Sequence, residues 1–176
     1  RELARAVERA LASRQQALRG PLGSAFRMVA LPLAPHTRQM FEERLDDPSP
    51  ARVRNARAML KAYLDGRPIV ALEYPVQAVS FGSELALVAL GGEPVVDYAL
   101  RARRELPGVV IAGYSNSVKG YIPSERVLAE GGYEAGESML YYGLPGPFAA
   151  GVEDAIFGAI HGVLREARSP RESSRR

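Results

Sequence analysis

The stretch 88-VALGGEPVVDYALRARREL-106 decides the fold. An apolar, strand-like run stops at Gly91-Gly92-Glu93-Pro94, and a helix-like pattern begins at once, running from about Pro94 to Leu106. Pro107-Gly108 ends that helix, and 109-VVIAGY-114 reads as a second short buried strand. Strand, glycine corner, helix and strand in succession predict an α/β unit. Glu93 at the corner has two readings. It is either a first-turn acid facing the positive end of a helix dipole, or part of a site at the carboxyl end of a strand, where open α/β sheets bind ligands.

Working outward, residues 2–18 place Leu3, Val7, Ala10, Leu11 and Leu18 at helical spacing, with Gly20-Pro21 as the stop. The segment 25-AFRMVALPL-33 is strand-like. Ser49-Pro50 reads as an N-cap with proline in the first turn, and Val53, Ala56, Leu60, Tyr63 and Leu64 give the following helix one apolar stripe that ends near Gly66. The runs 68-PIVALEYPVQAVSF-81 and 85-LALVAL-90 predict a hairpin, with Pro75 breaking the first run or placing it at a sheet edge. Between Ser115 and Pro147 periodicity fades while glycine, serine and tyrosine become frequent, the mark of a long functional loop. A final helix over about 149–166 carries Val152, Ile156, Ile160, Val163 and Leu164 on one face. The expectation is therefore one α/β domain, or part of a larger catalytic domain, built on a mixed sheet with flanking helices.

Composition narrows the function classes. With 176 residues and 47% hydrophobic content the chain holds a proper core. It has no cysteine, which excludes disulfides and thiolate metal sites. No segment reaches the roughly 18 unbroken apolar residues of a membrane span. The net charge of +3 is modest and concentrates in the basic tail 169–176, SPRESSRR, which is expected to be disordered. Elsewhere arginines alternate with acids, which argues against a nucleic-acid partner. The opening 1-RELARAVERAL-11 has neither an initiator methionine nor a signal peptide, so a processed chain or a fragment is expected.

Chemistry is sparse by motif. The two corners 90-LGGEP-94 and 112-AGYSNS-117 end strands in small residues followed by polar ones, and pairing of their strands would bring Glu93 near Ser115 and Asn116. The loop 131-GGYEAGESMLYYGLPGP-147 offers Tyr133, Glu134, Glu137, Tyr141 and Tyr142, which also suit half-buried packing with wet hydroxyls. His36 is expected to be solvated and His161 partly buried and satisfied beside the last helix's stripe. There is no HExxH pair, GYSNS is not a GxSxG elbow, and GGEP lacks the Lys and Ser/Thr of a phosphate loop.

Three segments read together, 81-FGSELALVALGGEPVVDYALRAR-103, 109-VVIAGYSNSVKGYIPS-124 and 132-GYEAGES-138, resemble the neutral/alkaline non-lysosomal ceramidase family. That family shows a Gly-Glu corner before a helix, then a (T/S)N…YI loop, then a YE-(A/G)-(A/G) segment, in this order. The resemblance covers roughly residues 70–150 and implies zinc-dependent hydrolysis of the amide of ceramide to sphingosine and fatty acid. By motif position it puts metal ligands on Glu93 and Tyr133, an oxyanion donor on Tyr142 or Tyr141, and substrate or supporting contacts on Asn116 and Ser115. The family's two zinc-binding histidines and its serine-bearing segment belong to earlier motifs that this chain lacks. The chain, residues 1–168, is therefore expected to be the C-terminal part of a catalytic domain, inactive alone, with the remaining His ligands of Zn2+ outside it. The resemblance further implies a secreted or periplasmic protein with peripheral membrane contact and a ceramide-like N-acyl lipid as substrate. The loop departs from the family by a small insertion after Tyr133 and by lacking the usual Ser/Thr after the YE segment. Two alternatives stand beside this reading: hydrolysis of another N-acyl compound, and a non-catalytic α/β binding domain.

Overall fold

The computed structural model describes residues 1–15 and 17–169. The fold is a mixed sheet flanked by helices. Strands β1 (Leu22–Pro32), β2 (Ala71–Phe81), β3 (Leu85–Leu90) and β5 (Val109–Ala112) lie in the order β1-β2-β3-β5. The first three pair antiparallel, and β5 joins β3 in parallel after the crossover helix α4 (Asp97–Glu105). Two further short strands, β4 (Glu93–Pro94) and β6 (Tyr121–Ile122), form a parallel ladder of their own. Helices α1 (Glu2–Ala12), α2 (Arg38–Glu42), α3 (Pro50–Leu64), α5 (Glu125–Glu130) and α6 (Val152–Arg168) complete the chain, with 3-10 turns at Glu43–Asp46 and Glu137–Tyr142.

Side chains alternate across a strand, and here the alternation separates two unlike faces. On the inner face Leu72, Tyr74, Val76 and Ala78 of β2 pack with Ala86, Val88 and Leu90 of β3 beneath Ile156, Phe157, Ile160, Val163 and Leu164 of α6. The last turn of α6 reaches the sheet because Gly23 has no side chain: a Cβ there would lie 1.8 Å from the Ala167 carbonyl oxygen, which instead accepts the Ser80 hydroxyl at 2.8 Å. The outer face carries Ser24, Val79, Leu87 and Val110 in one cross-strand row and Phe26, Gln77, Ala89 and Ala112 in the next. No described helix covers it, and Phe26 and Val110 are about half exposed at 51% and 52%. A second small cluster joins Phe41 of α2 to Ala56 and Met59 of α3.

Several expectations change. Helix α1 stops at Ala12, where extended Ser13 places its hydroxyl on the Ala10 carbonyl at 2.7 Å. None of its residues is buried, so no packing extends it. Pro75 neither breaks β2 nor marks an edge, since β2 is interior. The Pro75 carbonyl accepts from Gly91 N at 3.4 Å on the β3 side, so the N–H that proline lacks would also point there, beyond the Val76–Leu90 end of that ladder. Helix α4 begins at Asp97, not Pro94. On α3 the apolar stripe is narrower than predicted: Leu64 is exposed, whereas Asn55 and Met59 are buried. The loop 115–147 contains α5, which is too short to show periodicity; its signature was Ser124 before an acid and Gly131 after the last turn. His36 is not simply solvated: its Nε2 lies 2.8 Å from the Ile69 carbonyl and its Nδ1 2.8 Å from the Tyr63 hydroxyl. His161 is partly buried, with no hydrogen-bond partner among the described residues. Of the tail, Ser169 caps α6 with its hydroxyl on the Arg165 carbonyl at 2.8 Å, and residues 170–176 lie outside the described residues.

Ser124 ties α4 to α5. Its hydroxyl oxygen accepts from Val127 N at 3.2 Å as the α5 N-cap and donates its proton to Asp97, the first-turn acid of α4. That bond, with Arg126 beside it, holds the Asp97 carboxyl below the usual carboxylate range. A depressed carboxyl stabilises the fold above its unfolded pKa, and this contribution is lost as pH falls through the folded value. Ser124→Ala is therefore expected to cost about 2 kcal/mol at neutral pH. The deficit should shrink in acid, as read from urea midpoints at pH 7 and below pH 4. A pH-independent deficit would mean that only the cap matters.

Candidate functional site

The two corners form one seam at the carboxyl ends of the parallel strands β3 and β5. Gly92 N donates to the Ser117 carbonyl at 2.7 Å and Glu93 N to the Gly120 carbonyl at 2.9 Å. Tyr114 N returns to the Gly92 carbonyl at 2.8 Å, and Ser115 N to the Leu90 carbonyl at 3.0 Å. From below, the buried Tyr74 hydroxyl donates to the Gly91 carbonyl at 2.8 Å. Gly92 makes this closeness possible. Its φ is +63°, and a Cβ there would stand 2.6 Å from the Gly120 carbonyl oxygen.

This seam settles what Glu93 is locally. It is not a first-turn acid, because it sits in β4, opposite Tyr121 of β6, four residues before the helix begins. The helix-dipole reading is overturned, and Asp97 takes that place. Glu93 is half-buried and forms no ion pair among the described residues.

Its neighbours are phenols. A hydrogen-bonding interaction with the Glu93 carboxylate is the largest cause that pushes the Tyr114 hydroxyl up to about 12, and the same interaction raises Tyr121. The Tyr133 ring meets the Tyr121 ring edge-on with centroids 5.5 Å apart. Tyr142 adds to the negative field that raises both Tyr114 and Tyr121, and its ring lies against Gly120. The structure thus groups Glu93, Tyr114, Tyr121, Tyr133 and Tyr142. Tyr114 reaches its place through a left-handed backbone, φ +53°, which is rare for a bulky side chain, and Asn116 follows at +63°. Such strain persists only where the surroundings over-determine it, and it concentrates at functional sites.

The other residues picked from the sequence face elsewhere. Asn116 Nδ2 donates to Gln77 Oε1 at 3.3 Å, and the Ser115 hydroxyl donates to the Gly113 carbonyl at 3.1 Å. Tyr141 is exposed and makes no side-chain hydrogen bond or ring contact among the described residues. Tyr114 and Tyr121 were not singled out from the sequence, although both lie in the quoted segments. What would have found Tyr121 is the β4–β6 register, which sets it directly opposite Glu93, whereas Tyr114 is placed by its left-handed backbone.

A raised phenol next to a carboxylate stays protonated at neutral pH and orients that carboxylate as a donor. Replacing Glu93 by glutamine should return Tyr114 from about 12 toward the ordinary tyrosine value of roughly 10. Alkaline titration of phenolate absorbance reads this directly. An unchanged high-pH tyrosine in Glu93→Gln would place the cause outside the carboxylate.

As metal donors, Glu93 and Tyr133 offer oxygens of a type zinc accepts, with Tyr114 and Tyr121 as the supporting groups that hold such a carboxylate. Two donors do not complete a four-coordinate site, and no group of three or more His, Cys, Asp or Glu lies together among the described residues. A zinc ion held by Glu93 and Tyr133 would need further ligands beyond these two. No family model, no curated protein and no solved structure matches this chain.

Proposed function

We propose that this chain is the C-terminal part of a ceramidase-like catalytic domain, a zinc-dependent amide hydrolase acting on N-acyl lipids, ceramide first among them. The observation that carries the reading is the convergence of Glu93 and Tyr133. They come from segments 40 residues apart in sequence (133 − 93), yet both border Tyr121. The large apolar side chains left exposed on the outer face, Phe26, Leu87 and Val110, support a further layer over it, because exposed apolar surface of that kind marks an interaction site. The strained backbone at Tyr114 and Asn116 supports a site at this corner over a purely structural seam.

In this reading Tyr114 and Tyr121 stand by the Glu93 carboxylate as hydroxyl donors. Tyr133 presents its oxygen beside it, and Tyr142 supplies a hydroxyl donor for the negative oxygen that develops when an amide carbonyl is attacked. Zinc, when bound, supplies Lewis acidity and activated water. Asn116 and Ser115 hold the loop rather than the substrate. The lipid substrate brings the intact protein into peripheral contact with a membrane surface.

Zinc affinity of the complete catalytic domain tests the reading. Glu93→Gln and Tyr133→Phe should each weaken it by at least roughly 10–100-fold, while the 176-residue chain alone binds zinc weakly. Unchanged affinity in both variants would return the corner to a structural role and favour a non-catalytic binding domain.

A further inference from the structure

On the far side of the Tyr133 loop lies a cavity of about 450 Å³, between helix α3 and the segment 131–147. Its size is within the roughly 300–1,000 Å³ of small-molecule sites. Gly131, Gly132 and Ala135, which flank Tyr133 in sequence, form part of its wall, so one loop serves both the cavity and the phenol cluster.

Three features of the lining define a ligand. Leu128, Leu140 and Leu144 give an apolar wall. Arg44 supplies a guanidinium that stacks on the Phe41 ring, 5.3 Å from its centroid, and donates to the Pro145 carbonyl at 3.5 Å; it has no ion pair among the described residues. Asn55, only 6% exposed, donates its Nδ2 to the Leu144 carbonyl at 3.0 Å and the Leu140 carbonyl at 3.3 Å. Two carbonyl partners fix the orientation of that amide. They leave Oδ1 without a donor among the described residues, and Asn55 is one of the residues that line the cavity.

Arg44 and Asn55 are anchored on the neighbouring carbonyls of Pro145 and Leu144, which ties both side chains to the same stretch of the cavity wall. Among the other charges of the lining, Asp47 pairs with Arg52 at 3.3 Å and also feels the Arg44 charge, and Glu137 is exposed at the rim.

We propose that this cavity binds an N-acyl amino acid, with its carboxylate on Arg44, its amide N–H donated to Asn55 Oδ1, and its acyl chain along the leucine wall. A plain fatty acid satisfies Arg44 but not Asn55, and a fatty amide does the reverse. Arg44 as donor and Asn55 Oδ1 as acceptor, both lining one cavity, call for a ligand that carries an anionic acceptor and an N–H together. This site is distinct from the Glu93 corner and does not depend on the zinc reading.

Isothermal titration of the 176-residue chain with N-octanoylglycine tests it. Saturable one-to-one binding is expected. N-octanoylsarcosine, whose nitrogen carries methyl in place of hydrogen, and octanoate should each bind at least fivefold more weakly, and Arg44→Gln should weaken N-octanoylglycine by roughly tenfold or more. Absence of saturable binding, or equal affinity for all three ligands, overturns the proposal. Should Arg44→Gln fail to fold, the ligand series on the unmodified chain decides by itself.

Discussion

Gly92→Ala is expected to lower the unfolding free energy by about 3 kcal/mol and to pull Glu93 away from its tyrosines. Part of the cost is conformational: φ of +63° is left-handed backbone, which costs an alanine about 1–2 kcal/mol. The rest is steric. The new Cβ would sit 2.6 Å from the Gly120 carbonyl oxygen and 2.9 Å from Ile122 Cγ1, so β4 must shift from β6. That shift threatens the bonds from Gly92 N to Ser117 and from Glu93 N to Gly120, each worth about 1 kcal/mol. Gly143→Ala is the matched control. Its φ of +70° and ψ of +31° are also left-handed, but nothing lies within 4 Å of its Cβ position, so only the conformational part remains, about 1 kcal/mol. Urea unfolding of the two variants side by side separates the effects. Equal losses would show that the seam yields to an extra methyl and does not fix Glu93 rigidly.

The second large effect is on chemistry. In the complete, zinc-loaded catalytic domain, Glu93→Gln is expected to reduce amide hydrolysis by more than about 100-fold, beyond what loss of a supporting group alone produces. Folding stability should change by no more than about 0.5 kcal/mol. Glutamine keeps the shape of the side chain and an oxygen that can accept from Tyr114 and Tyr121, but it gives up the negative charge. Activity and stability are thereby uncoupled, which distinguishes a metal ligand from a strut. Steady-state hydrolysis and thermal unfolding of the same preparation check both halves. Activity retained with a folded variant would assign Glu93 to the seam alone.

What the sequence reveals follows the length of each element. Helix α6 and strands β2 and β3 bury long, regular faces, so their periodicity is visible without a structure. Helix α5 has six residues and buries none, so only its caps betray it. Pro75 misleads because a proline reads as an edge marker unless the end of the neighbouring ladder is known, and that end depends on the length of β3. At the proposed site, Glu93 is singled out by its corner and Tyr133 is read as a ligand by the family resemblance, whereas the place of Tyr121 and Tyr114 beside Glu93 depends on register and on a left-handed residue. Neither property is local in sequence. His36 shows the same limit: its partners Tyr63 and Ile69 lie 27 and 33 residues away.

The central claim is that this corner is half of an amide-hydrolysing metal site. The most direct test is fatty-acid release from a short-chain ceramide by the complete zinc-loaded catalytic domain, measured before and after chelation. The account predicts release that stops when the metal is removed and returns when zinc is restored. A folded, zinc-bearing domain that releases nothing from ceramide or from a panel of other N-acyl amides would contradict it.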